Sequence, residues 1–150
     1  MKIVVQRVSK ASVTINQHKV ADIQEGLLIL LGIVEEDTEA DINWLVRKVS
    51  SLRVFNDEND VMNKSLIDID GNVIVVSQFT LHASTKKGSR PSYMKAAKPA
   101  LAIPLYQQFV ASLEKELNKK VQTGEFGADM KVELLNDGPV TIIIDSKVKA

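Results

Sequence analysis

"LLNDGPVTIIID", Leu134 to Asp145, decides how the end of this chain is read. Two apolar runs flank Asp-Gly, the dipeptide that a two-residue type I′ turn favours because both central residues tolerate φ > 0. That predicts a hairpin with arms "MKVELL" (Met130 to Leu135) and "VTIIID" (Val140 to Asp145). Pro139 works against it. It has no N–H to offer where the returning strand begins, and its ring restricts Gly138 as well. Gly-Pro is among the bonds that adopt the cis form, at a base rate of about 5–6% for X-Pro in folded proteins; the sequence leaves the isomer open.

Working outward, "KIVVQRVSKASVTI" alternates and is rich in valine and isoleucine, which predicts a second hairpin, Ile3 to Val8 against Ala11 to Asn16, broken near Ser9-Lys10. "EGLLILLGIV" (Glu25 to Val34) is a continuous apolar run suited to a buried strand. Thr38 and Asp41 are spaced as a capping box, and Ile42, Leu45, Val46, Val49 and Leu52 then keep helical spacing. "NVIVVSQFTL" (Asn72 to Leu81) is a central strand with a polar end, and "HASTKKGSRPSY" after it a long loop. A second helix carries Leu101, Leu105, Phe109, Leu113 and Leu117 every four residues; Pro104 stands in its first turn or kinks it. Six or seven strands and two long α-helices make a single α+β domain over 1–150, with a mainly antiparallel, barrel-like β-sheet as its core.

Composition narrows the chemistry. With 45% hydrophobic and 25% charged residues the 150-residue chain is an ordinary globular domain. No apolar run is long enough for a membrane span, and the start lacks a signal peptide's apolar core, so a cytoplasmic protein is expected. No cysteine is present, which excludes disulfides, thiolate nucleophiles and Cys-held zinc. His18 and His82 are the two histidines, too few for a multi-His metal site. The net charge of zero hides an asymmetry: Gly71 to Leu113 contains no Asp or Glu but does contain Lys86, Lys87, Arg90, Lys95 and Lys98. Such a stretch is either a solvated loop or a face presented to a polyanion.

Two motifs stand out: "SQFTL" (Ser77, Gln78, Phe79, Thr80, Leu81), offering hydroxyl, amide and aromatic groups at a strand end, and "NDGPVT" (Asn136 to Thr141). Together with the opening "VVQRVSKASVTI", the "KKGSRPSY" loop and "FGADMKVELLNDGPVT", and in that order, they make the chain resemble the D-aminoacyl-tRNA deacylases along essentially its whole length. The resemblance implies hydrolysis of the ester of D-aminoacyl-tRNA, and of glycyl-tRNA mischarged on tRNA-Ala, as chiral proofreading. It implies a homodimer in which a cis Gly138-Pro139 of one subunit enters the other's pocket. Ser77, Gln78, Phe79 and Thr80 are then the catalytic stretch, with Gly138, Pro139, Asn136, Arg7, Ala102 and Met130 binding substrate. No metal or organic cofactor is implied.

The physical case for such a device is independent. An enzyme indifferent to the side chain must grip the α-ammonium, Cα and ester carbonyl that all D-amino acids share. A rigid backbone wall rejects an L side chain by collision, the stronger kind of specificity. Glycine, with no side chain to reject, should leak through. Two mechanisms remain: Thr80 as nucleophile, with His82 on the same strand face as base, or a water nucleophile aided by the tRNA 2′-hydroxyl, with N–H groups around Phe79 and Thr80 holding the oxyanion. Arg7 is either a brace for the Gly138-Pro139 carbonyls or a surface cation. Lys86, Lys87 and Arg90 suit tRNA phosphate contacts. The rivals are a non-catalytic RNA-binding module, which needs a stacking platform and is disfavoured by seven aromatics of which Phe79 is the one counted near the basic segment, and a hydrolase of small D-amino-acid esters.

Overall fold

Both predicted hairpins are single strands in the structure, a computed structural model that describes residues 1–149. β1 runs unbroken over Lys2–Ile15. It pairs antiparallel with β3 (Gly26–Gly32) from Lys2 to Val8, then with β2 (His18–Ile23) from Ala11 to Ile15. Ser9-Lys10 therefore marks a change of partner, not a reversal. The last strand, β8 (Lys131–Asp145), crosses Asp-Gly-Pro without turning and lies antiparallel to β1 along nearly its whole length. Gln6 faces Thr141 and Val8 faces Asn136, so Asp137 to Val140 bulge outward opposite the single residue Arg7. The Gly138-Pro139 bond is cis, and Gly138 has φ +131, a conformation open to glycine.

Between β3 and β6 (Asn72–Ser77), which pair in parallel, the chain makes a crossover. It holds helix α1 (Glu39–Ser51), the small ribbon β4 (Phe55–Asn56) and β5 (Met62–Lys64), and the short helix α2 (Leu66–Ile69). Helix α3 (Pro99–Leu117) then leads through β7 (Gln122–Thr123), which pairs in parallel with β6, to β8. The fold is α+β: a mixed, nearly closed sheet with two substantial helices. Eight strands among the described residues, rather than six or seven, follow from pieces of two or three residues too short for periodicity to reveal.

Burial explains the unbroken apolar runs. Leu27, Ile29, Leu31, Val73 and Val75 face α1 and α3, while Leu28, Ile74 and Val76 face a second core with Val8, Val13 and Ile23. A strand covered on both faces has no polar side to alternate. The α1 capping box forms as read, with the Thr38 N–H donating to Asp41 (2.8 Å). In α3 Pro99 is the first residue and Pro104 lies inside on the exposed side; the buried stripe is Ala102, Tyr106, Phe109 and Leu113, which follows the 3.6-residue turn better than strict fours. The Met1 ammonium is buried and donates to Asp37 (2.5 Å) and to Ser146 Oγ (3.0 Å), whose hydroxyl donates to Asp41 (2.6 Å). Burial pushes the Asp41 carboxyl up. Bonds from Ser146, the Thr38 N–H and Lys147 outweigh that and hold it well below the usual carboxylate range.

Candidate active site

Strand β6 ends earlier than its sequence suggests. The Gln78 N–H makes a last bond to the Leu31 carbonyl (2.8 Å), and Phe79–His82 then coil into a 3₁₀ turn. The turn packs closely on β3 because Gly32 has no side chain: a Cβ there would meet Leu81, His82 and the Gln78 carbonyl at 3.0–3.1 Å. The first bond closing the turn runs from Leu81 N–H to the Gln78 carbonyl (3.2 Å), which leaves the Phe79 and Thr80 N–H groups at its open, leading end.

The coil also separates Thr80 from His82. At three residues per turn, positions two apart do not share a face, so the strand-based Thr-His pair does not form. The Thr80 hydroxyl instead accepts a bond from the Gln78 amide, and the His82 ring lies against Gly32 with its Nε2 buried and without a partner.

Beside this turn is a cavity of about 310 Å³, the low end of small-ligand sites. Ser77, Gln78 and Phe79 form one wall, Ala102 of α3 another, and Phe126 to Met130, ahead of β8, a third. Five of the residues singled out in the sequence are thus brought together. Sequence reasoning misses Phe126 because "TGEFGAD" (Thr123 to Asp129) reads as a Gly-rich connector between α3 and the last strand; an aromatic residue in such a connector is the available signal. Behind it the Tyr106 hydroxyl, pushed up to about 12 by burial, donates to the Val75 carbonyl (2.7 Å) and stays neutral, a structural rather than an acid–base group. The one carboxylate lining the cavity, Asp129, is exposed and paired with Lys131 (3.3 Å).

A second group lies elsewhere. Arg7, buried to 8% exposure, donates from Nε to the Asp137 carbonyl (2.9 Å) and from Nη1 to the Val54 carbonyl (2.6 Å). It is a brace and not a surface cation, although it grips the carbonyl just ahead of Gly138. Asn136 closes the bulge from the other side: its Oδ1 accepts the Val140 N–H (3.1 Å) and its Nδ2 donates to Thr141 Oγ1 (3.0 Å). Gly138 and Pro139 are exposed. Arg7 is level with Leu27 on β3, whereas the cavity begins at Leu31, four residues or about 13 Å along the strand. The Gly-Pro bulge is no part of this chain's own cavity.

Lys86, Lys87 and Arg90 are exposed on a third element, a loop pinched at its base by paired bonds between Ser84 and Ser92 (2.8 Å each).

The family model for D-Tyr-tRNA(Tyr) deacylase matches residues 4–145. The chain belongs to that family. It is 67% identical over 147 residues to the D-aminoacyl-tRNA deacylase of Flavobacterium johnsoniae, covering 98% of each chain. To the Bacteroides fragilis D-aminoacyl-tRNA deacylase it is 64% identical over 149 residues, with 99% of each covered. Among solved structures it is similar to the c-Myc DNA unwinding element binding protein, at 41% identity and a TM-score of 0.89, covering 97% of this chain and 98% of that one. No helix among the described residues is long and apolar enough to cross a membrane.

Proposed function

We propose that this chain hydrolyses the ester of D-aminoacyl-tRNA to free D-amino acid and tRNA, sparing L-aminoacyl-tRNA. One observation carries the reading: in a member of this family, the Ser77–Phe79 strand end forms the wall of a nucleoside-sized cavity. The terminal adenosine enters between Ala102, Phe126 and Met130, and the aminoacyl ester lies along the Phe79-Thr80 turn. The leading N–H groups of that turn receive the oxyanion. With no free carboxylate or histidine lining the cavity, the nucleophile is water positioned by the adenosine 2′-hydroxyl, and Thr80 orders Gln78 rather than attacking.

The chiral wall is Gly138-Pro139 of a second copy. Its exposure, its distance from the cavity in its own chain and the exposed Leu135 and Ile143 on the same strand all support a homodimer through β8. Its backbone carbonyls take the α-ammonium and leave no room for an L side chain. Glycyl-tRNA therefore passes.

The test is a time course of matched D-Tyr-tRNA and L-Tyr-tRNA at low enzyme concentration. Loss of the D ester alone is expected, and equal inertness toward both would leave only an RNA-binding protein. Dimer contribution is read by mixing Ala102→Trp with Gly138→Ala, each inactive alone. The mixture should regain about a quarter of wild-type turnover, because half the dimers are mixed and each of those holds one intact composite site.

A further inference from the structure

Tyr93 and Met94 lie just beyond the cavity, and nothing described so far uses them. The Tyr93 ring meets Phe79 edge-on, with centroids 5.0 Å apart and planes at 78°. Both rings are open to solvent, Phe79 at 54% and Tyr93 at 41%, and Met94 beside them is 93% exposed. So much apolar surface on one short segment is unusual for a solvated loop.

The segment is also fastened. Tyr93 accepts the Ala96 N–H at its carbonyl (3.1 Å), Ala97 donates to the Ile33 carbonyl (2.9 Å), and the Ser84–Ser92 clasp closes on its other side. The aromatic surface is thus built in place before any ligand arrives, which lowers the ordering cost of binding. Cations flank it along the chain: Lys86, Lys87 and Arg90 on the clasped loop and Lys95 just after Met94, all exposed, within the stretch from Gly71 to Leu113 that has no acid.

An exposed aromatic face edged by cations suits a single-stranded nucleotide: the base stacks and the phosphate is neutralised. The geometry points to Tyr93 and Met94 as the platform for the nucleotide that precedes the terminal adenosine of the tRNA. This rests on the deacylase reading, since the adenosine occupies the cavity that Phe79 lines. The next base then emerges one phosphodiester step outward, where Phe79 hands over to Tyr93. Stacking accepts any base, so the platform adds affinity for an RNA 3′ end without reading sequence, as an enzyme serving many tRNAs requires.

The test compares D-Tyr-tRNA with D-tyrosyl-adenosine, which has no preceding nucleotide. Tyr93→Ala should raise KM for D-Tyr-tRNA roughly 5- to 150-fold, the range of one lost base–aromatic stack, with kcat unchanged. Turnover of D-tyrosyl-adenosine should not move, and Tyr93→Phe should restore wild-type KM. Met94→Ser, at a side chain too exposed to affect folding, should give a smaller rise on tRNA alone. Equal loss on both substrates would make Tyr93 a support for Phe79 and overturn the platform; so would unchanged KM for tRNA in both variants. Wild-type enzyme inert toward both substrates would be a different failure, that of the deacylase reading, and would take the platform with it.

Discussion

Replacing Arg7 with methionine separates its two consequences, on stability and on the bulge it holds. Methionine keeps much of the length and fills the same space, so the loss is mainly that of donors. The Val54 carbonyl is the costly one: Val54 is 5% exposed, no water replaces the guanidinium, and an orphaned buried acceptor costs about 1–3 kcal/mol. The Asp137 carbonyl sits on exposed chain and rehydrates at little cost. The bond to Asn56 Oδ1, at 3.3 Å on an exposed residue, adds little. The net is about 2 kcal/mol, which at a urea m-value of about 2 kcal/mol/M lowers the midpoint by about 1 M. A domain of ordinary stability survives that, so activity can be read on folded protein. Deacylation of D-Tyr-tRNA should fall at least tenfold at matched folded fraction, because Asp137 and with it Gly138 are released. Urea unfolding followed by circular dichroism, beside single-turnover deacylation, gives both numbers. An unmoved midpoint would refute the hydrogen-bond accounting. Full activity in a destabilised variant would refute the claim that Arg7 holds the bulge in its working shape.

Gly138→Ala places a Cβ 2.9 Å from Arg7 Nη2 and from Val140 Cγ2 at φ +131; a drop of about 2 kcal/mol in unfolding free energy is expected, and unchanged thermal stability would contradict the strained geometry. Lys86→Ala and Lys87→Ala should each reduce the slope of log affinity for tRNA against log salt by about 1 without altering turnover of D-tyrosyl-adenosine; a slope unchanged in both would remove the loop from the RNA contact. The depressed Asp41 carboxyl gives stability that is present above its unfolded value near 3.8 and is lost as pH falls below it toward the lower folded value, because the unfolded chain takes up the proton first. Asp41→Asn should flatten the fall in urea midpoint between pH 4 and pH 2 (roughly the upper part of that window), and an identical acid limb would assign the effect to other groups.

How far the sequence reached depends on the kind of signal. The Glu25–Val34 run and the capping box at Thr38 are local patterns and formed as read, whereas the α3 stripe kept only Phe109 and Leu113 of the strict-fours reading and turned toward Ala102 and Tyr106. The two hairpins failed for one reason. Asp-Gly and Pro139 correctly report an interruption in the chain, and Gly138 does take a positive φ. Yet whether a chain reverses or bulges and continues depends on the strand beside it, and β1 lies more than 120 residues upstream. Ser9-Lys10 is the same case, an interruption produced by a change of neighbour. At the site, Ser77 to Phe79 and Met130 were reachable from the motifs and Ala102 only through the family resemblance, whereas Thr80 and His82 were misplaced on a strand face because periodicity does not show where β6 leaves the sheet. Tyr93 was in plain view at the end of the basic loop, but only its edge-on contact with Phe79 gives it a role.

The pairing of the first long strand with the last has a consequence during synthesis. β1 leaves the ribosome before β2 and β3 and finds them soon afterwards, but the edge that β8 covers stays open until more than a hundred further residues have been made. Contacts so distant in sequence form late and slowly. A nascent chain therefore carries a bare valine-rich strand edge through most of its translation, the kind of surface that templates aggregation. A ribosome that stalls before Lys131 leaves a product with no Gly-Pro bulge and nothing to close its sheet.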